Sequence, residues 1–498
     1  MSVLDGIKPE AVFRYFEAIC GIPHGSSNTK GLSDYCAGFA REHKLKYIQD
    51  SHNNIIIFKD GTPGYENSCP VILQGHLDMV CEKSQDCEID FKTEALRLKV
   101  ENGMISARGT TLGGDDGIAV AYGLALLESR DIPHPPLEVV FTSDEEIGML
   151  GAAAIDCTEL KSKIMLNLDS EEEGYLLVSC AGGVTAACHI PLDYMVDKSN
   201  EISKENAPGI LLELRVGGLN GGHSGVEIDK GRANANQVLG RILFAIKEKM
   251  KFGLMEVNGG LKDNAIPREA AAKLMIADRN WDEFQELISE YNKILANEYR
   301  NTDKDIHLTV RQASCDMEHN MENTRIMSYE CMFRVITALV NLPGGIQKMS
   351  HDIDGLVQTS LNMGILATRD DEVVLSFSVR SSLGSEKEEL VAKLRCLTES
   401  LGGYVSCTGD YPAWEFRQNS ELRKLMSEIY EEQTGRKPVI QALHAGVECG
   451  LFADKIPDLD CVSFGPDIKD IHTPAECMDI ASVERTWNFL LEILKRLK

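Results

Sequence analysis

Val71-Ile72-Leu73-Gln74-Gly75-His76-Leu77-Asp78-Met79-Val80 opens as an unbroken apolar run and closes on a His and an Asp two residues apart. Val71 to Leu73 read as a strand buried on both faces, the pattern of a parallel sheet covered by helices. His76 and Asp78 then emerge at the carboxyl end of that strand, the rim where open α/β sheets bind ligands. One imidazole nitrogen can hold a metal ion while the other donates to a nearby carboxylate, which fixes tautomer and ring orientation. Alone, the pair is more often the mark of a hydrogen-bonded structural His than of a metal ligand, so the neighbouring strands decide.

Three further apolar runs end in the same way. Leu137-Glu138-Val139-Val140-Phe141-Thr142 leads into Ser143-Asp144-Glu145-Glu146-Ile147-Gly148, and Lys163-Ile164-Met165-Leu166-Asn167-Leu168 leads into Asp169. Cys461-Val462-Ser463-Phe464 is followed by Gly465-Pro466 and then by His472-Thr473-Pro474. Between the first two runs, Gly109-Thr110-Thr111-Leu112-Gly113-Gly114-Asp115-Asp116-Gly117 is a glycine-rich turn opening into an apolar helix that reaches about Ser129. Such a turn can cradle phosphate, but it lacks both Gly-x-Gly-x-x-Gly and a Lys-Ser/Thr ending, and two carboxylates would repel an anion. Asp115 and Asp116 therefore read as cation ligands or helix N-caps. Each buried strand empties into a His or a carboxylate, a repetition that chance does not readily produce.

The rest of the chain frames these motifs. At 498 residues it exceeds one core, and two or three domains are expected. A formal charge of −26 disfavours nucleic acid and anionic membrane surfaces as partners and favours solubility. The first residues lack the basic segment and apolar core of a secretory signal, and no run of about 18 apolar residues follows, so a soluble, cytoplasmic protein is expected. Fifteen Cys without a Cys-x-x-Cys pair fit a reducing compartment.

From about Thr185 to Ser400 the pattern changes to alternating strands, at 209–216 and 372–379, each followed by an amphipathic helix. The first leads through Gly217-Gly218-Leu219-Asn220-Gly221-Gly222-His223-Ser224-Gly225. Strand followed by helix, twice, suggests two similar α+β halves. The final segment resumes the first pattern with a strand at 403–407 and a helix that Ser420 caps and Gly435 ends. The expected organisation is an α/β catalytic domain with a central mixed sheet flanked by helices, built from 1–184 and 401–498, with 185–400 inserted into it.

His76, Asp115, Glu146, Asp169 and His472 are ligand types that suit zinc, cobalt or manganese, with no thiolate among the motif positions. Two His and three carboxylates serve two divalent ions better than one, with one carboxylate bridging and a shared water between. Such ions can polarise a carbonyl and acidify the water. A further carboxylate must take that water's proton and return it to the leaving amine. Glu145-Glu146 offers one Glu for each task, provided the strand end makes an irregular turn, since adjacent side chains otherwise point apart. Without the other motifs, Asp144-Glu145-Glu146 would be an exposed acidic turn.

The motifs Gly75-His76-Leu77-Asp78, Gly114-Asp115-Asp116, Asp144-Glu145-Glu146-Ile147-Gly148, Asn167-Leu168-Asp169 and Ile471-His472-Thr473-Pro474 occur in this order. As a set the chain resembles the di-zinc peptidases that include carnosinases, acetylornithine deacetylase and tripeptidase T. The resemblance spans nearly the whole chain. It implies that Asp115 bridges two metals, His76 and Asp169 complete one site, and Glu146 and His472 complete the other. It further implies that Asp78 orients His76, that Glu145 is the general base, and that the insertion is a lid whose His223 stabilises the tetrahedral oxyanion. Asn264 and Arg380 resemble substrate-contacting lid positions, Arg380 being able to pair bidentately with a C-terminal carboxylate. His444, in His444-Ala445-Gly446-Val447-Glu448-Cys449-Gly450, is a further substrate-binding candidate for which a structural role is equally open.

One departure narrows the branch. Many members carry a Lys two residues after the bridging Asp; this chain has Gly117 there, and members that cleave aminoacyl-histidine dipeptides also lack that Lys. The implied activity is hydrolysis of small peptides, namely unblocked dipeptides including Xaa-His, with tripeptide hydrolysis or deacylation of N-acyl amino acids on the same scaffold as the alternative. Two α+β halves in one lid would allow a monomer, while related dipeptidases also form homodimers.

Overall fold

Leu137–Thr142, Val71–His76, Ile164–Asn167 and Asp460–Ser463 lie side by side and parallel in a computed structural model that describes residues 3–195, 209–312 and 325–498. Further strands extend this row into an eight-stranded mixed sheet: Ile55–Lys59 and Lys46–Gln49, antiparallel, on one side, and Tyr175–Cys180, antiparallel to Asp460–Ser463, followed by Val439–Leu443 on the other. The first two of the four are buried at every residue, which explains why they read as continuous apolar runs. The helix Gly114–Glu128 packs on Val71–His76, and Glu10–Cys20 covers it in turn. With both flanks occupied, every residue from Ile118 to Leu127 is buried, so this helix is apolar all round. Gly75 permits the close approach, because a Cβ there would overlap the methyl of Ala119 and the carboxylate of Asp116.

The helix Glu421–Thr434 is delimited as the sequence predicts: Ser420 Oγ accepts from Arg423 N at 2.9 Å, and Gly435 ends it with a φ of 75°. A small sheet of Ile468–Lys469, Cys477–Asp479, Met104–Ala107 and Leu98–Glu101 carries the turn that holds His472. Together these elements make one compact unit of residues 1–180, 414–442 and 447–498.

Residues 181–413 and 443–446 form a second unit around a nine-stranded sheet. Across it run His307–Gln312, Gly209–Gly217, Ala270–Ala277, Phe252–Gly259, Val357–Thr368, Glu372–Ser381, Gly182–Pro191 and Tyr404–Tyr411, all antiparallel. Numbered by chain order within each group of four, the first group stands 4-1-3-2 and the second 2-3-1-4, the same order reversed. Helices Ala235–Lys249 and Trp281–Glu298 follow the first and third strands of one group, and Tyr329–Asn341 and Gly384–Ser400 occupy the same places in the other. Each group is a split βαβ unit, and their second strands pair where Asn258 meets Ala367.

This architecture corrects two expectations. The strand–helix steps at 209 and 372 are the first step of one half and the second step of the other. The true counterpart of the 209 strand is Gly182–Pro191, separated from its helix by the entire other half. The strand expected at 403–407 to return to the first domain is Tyr404–Tyr411, which pairs with Gly182–Pro191 and closes the second sheet. Being an edge strand with mostly exposed side chains, it carries little hydrophobic signal to show which sheet it joins. No helix among the described residues is long and apolar enough to cross a membrane. The 14 cysteines among them are all free.

Candidate active site

The four parallel strands deliver their polar ends to one rim, and Asp115 stands between two imidazoles there. His76 Nε2 lies 3.1 Å from Asp115 Oδ1 and 3.6 Å from Asp169 Oδ1. His472 Nε2 lies 3.2 Å from the other oxygen of Asp115 and 3.0 Å from Glu146 Oε1. Donors placed tetrahedrally at zinc bond lengths stand about 3.3–3.6 Å from each other, so two sets sharing one carboxylate have the spacing of two ion sites. Asp115, Glu146 and His472 form one close group of ligand atoms, as do His76, Glu145 and Glu146, and also His76, Asp116 and Asp169.

Asp116, which the sequence offers beside Asp115 as a cation ligand or helix N-cap, is distinguished from Asp115 by its bonding. Its Oδ2 accepts the backbone N–H of His76 at 3.0 Å, tying the helix start to the strand end. Asp115 and Asp116 depart from helical φ/ψ, with a cis peptide between them, so the two carboxylates face different partners. From behind, Glu476 accepts from the backbone nitrogens of Leu112, Gly113 and Gly114 at 2.7, 3.2 and 2.8 Å. His472 presents its ring from a left-handed backbone position, φ 60°, and is 45 % exposed, whereas His76 is buried.

The Glu145-Glu146 turn has the irregularity its two roles require. Asp144 adopts φ 53°, and the chain folds back through bonds from Gly148 N and Met149 N to the Glu145 carbonyl. Asp78 fixes this turn: its two carboxylate oxygens accept from Glu145 N at 2.9 Å and Glu146 N at 3.2 Å, and Ser26 Oγ donates to it at 2.9 Å. His76 Nδ1 is 2.9 Å from the backbone carbonyl of Asp78 and 3.6 Å from its carboxylate. Asp78 therefore orients the imidazole chiefly through its main chain, and its carboxylate holds the two glutamates.

Electrostatics reflect the crowding. Burial lifts Glu145 well above the usual carboxylate range, with Asp169, Glu448 and Glu146 adding to it against the pull of His76. Burial likewise raises Asp169 to about 6 despite His76. Hydrogen bonds to Asp115 and Glu146 push His472 up to about 10. Burial would lower His76, but Asp169, Asp115 and Asp78 carry it well above the usual imidazole range. Stacked negative charge of this kind is what divalent cations offset.

Behind the rim lies a residue that no motif announced as functional. Glu448, fully buried at the start of the helix Glu448–Lys455, accepts from Thr142 Oγ1 at 2.6 Å and Gln74 Nε2 at 2.5 Å. Burial raises it to about 8. Gln74 in turn accepts from Asn167 Nδ2 at 2.5 Å, so three of the four parallel strands are cross-linked just below their carboxyl ends.

The remaining candidates belong to the second unit. His223 Nδ1 accepts from the backbone nitrogens of Gly225 and Val226, both at 3.2 Å, which leaves the neutral ring's proton on Nε2. Burial, then Arg380, lowers its proton affinity. Asn264 is exposed, and its loop is braced by Asn362 Nδ2, which donates to the Asp263 and Ala265 carbonyls at 3.0 and 2.9 Å. His444 Nε2 bonds Ser360 Oγ at 2.7 Å, and burial, Arg380 and His223 lower its pKa to about 4. Arg380 is buried in the sheet.

The model of peptidase family M20/M25/M40 matches residues 72–496. The chain is 37 % identical over 499 residues to the cytosol non-specific dipeptidase of Escherichia coli K12, covering 100 % of this chain and 99 % of that one. The crystal structure of aminoacylhistidine dipeptidase from Vibrio alginolyticus matches with a TM-score of 0.90 and 35 % identity, over 99 % of this chain and 97 % of the other. Aminopeptidase PepT from Bacillus cereus shares the fold, with a TM-score of 0.55 and 14 % identity over 99 % of both chains.

Proposed function

The chain belongs to peptidase family M20/M25/M40, and from that premise we propose that it is a metal-dependent dipeptidase hydrolysing unblocked dipeptides, Xaa-His among them. The observation that carries this is the Asp115 carboxylate, one oxygen turned to His76 and the other to His472. His76, Asp115 and Asp169 would hold one divalent ion, and Asp115, Glu146 and His472 the other. The all-nitrogen and oxygen donor set favours zinc, with cobalt or manganese as substitutes. Bound there, the ions would polarise the scissile carbonyl and ready a water for attack near neutral pH.

The chain's own groups do the rest. Glu145, whose burial strengthens its hold on a proton, takes one from the attacking water and returns it to the departing amine. Asp78 keeps that carboxylate in place through the Glu145 and Glu146 N–H groups. His223, neutral with its proton on Nε2, is proposed as donor to the oxyanion, a preorganised contact that strengthens as charge develops. Arg380 is proposed to pair with the substrate's terminal carboxylate, with Asn264 and His444 as further substrate contacts. The cytosol, named for the Escherichia coli relative, is the proposed compartment.

The test is hydrolysis of free dipeptides, β-alanyl-histidine included, beside N-acyl amino acids, before and after chelation and with zinc restored. Dipeptide cleavage that vanishes on chelation and returns with zinc is expected. A strong preference for N-acyl amino acids, or activity indifferent to thorough metal removal, would sink the proposal.

A further inference from the structure

In the second unit, four neighbouring strands place Ser360, Arg380, Gly183 and Tyr411 directly opposite one another in a row. Residues so paired on antiparallel strands share one face of the sheet. Gly183 is the gap in the row: a Cβ there would come within 2.5 Å of the Tyr411 phenol oxygen and 2.6 Å of its ring. Because glycine leaves that space open, the ring crosses it and Arg380 Nη1 donates to Tyr411 Oη at 3.0 Å. The Tyr411 main chain is itself held, with its carbonyl accepting from Lys387 Nζ at 2.8 Å and Lys387 also pairing with Asp410.

A guanidinium is a rigid plane of five donors, so fixing one corner sets where the other edges point. Arg380 Nε is a buried donor with no hydrogen-bond partner, and the ring nitrogen Nδ1 of His444, at the far end of the row beyond Ser360, is buried without one as well. The phenol is neutral and leaves the guanidinium's need for an anion unmet.

We infer that Tyr411, seated over Gly183, is a positioning residue that sets the plane of Arg380 for a substrate carboxylate and so governs selectivity for peptides with a free C-terminus. This rests on the proposed role of Arg380, and the experiment separates the two. Steady-state kinetics are measured for wild type, Tyr411→Phe, Gly183→Ala and Arg380→Lys on a dipeptide and on its C-terminal amide, with thermal melting to confirm folding. For Tyr411→Phe the KM for the free acid should rise about tenfold while KM for the amide stays within about twofold. Gly183→Ala, which displaces the phenol without removing it, should shift the same ratio in the same direction. Equal effects on acid and amide, or no effect, in both variants would overturn the role of Tyr411 if Arg380→Lys still erases the preference for the acid. An Arg380→Lys enzyme that keeps its full preference would overturn the underlying assignment as well.

Discussion

At the rim of the first unit's parallel strands, two imidazoles stand among the carboxylates of Asp115, Glu146 and Asp169, and their hold on protons is strengthened. In the second unit, half-buried His223 and buried His444 both lose proton affinity, to burial first and then to the charge of Arg380. The same side chain is pushed in opposite directions by its neighbours. The first environment calls for cations, and the second offers neutral donors and one guanidinium to an anion. That contrast fits a peptidase, whose substrate carries a terminal carboxylate and passes through an oxyanion.

The contrast can be tested from its strongest point downward. Replacing Glu145 by Gln removes the proposed proton carrier but no proposed ligand, so dipeptide turnover should fall about 10³- to 10⁴-fold while bound zinc, measured on the same sample, stays unchanged. Removing the proposed oxyanion donor by His223→Ala should lower kcat about 10²-fold with KM little altered. Asp78→Asn keeps the main-chain contact to His76 but weakens the clamp on Glu145 and Glu146. A loss of about tenfold in kcat with metal retained is expected, and metal loss instead would mean that the carboxylate's chief duty is to the imidazole.

The smallest effect concerns stability. His444 is held near 4 in the fold against about 6.5 in the unfolded chain, so between these values the unfolded chain binds more protons. Stability should therefore fall as pH drops from 7 to 5, by roughly 2 kcal/mol from this group. Urea midpoints at the two pH values, compared with those of His444→Gln, would reveal it, and an unchanged difference in the variant would remove His444 as the cause.

The rim was legible in the sequence because a doubly buried strand is a continuous apolar run and its polar end stands out sharply. His76, Glu146, Asp169 and His472 each sit at or follow such an end, and Asp115 stands where a glycine-rich turn opens into a helix that is apolar all round. Glu448 and Glu476 were not, since a lone carboxylate at a helix start or in a turn looks the same whether it faces water or a buried network. The repeat in the second unit reads out of phase in the sequence because one half interrupts the other, placing 182–191 far in sequence from the helix that completes its step. Tyr411 and Gly183 meet only through strand register, which no local pattern records.

The proposed sharing of Asp115 between two ions is the centre of the proposed mechanism, and zinc stoichiometry tests it most directly. After chelation, zinc is titrated calorimetrically into wild type and into Asp115→Ala. Two tight equivalents per chain are expected for the wild type and neither for the variant, because both sites draw on the same carboxylate. A wild type that binds a single ion, or an Asp115→Ala chain that keeps two, would contradict it.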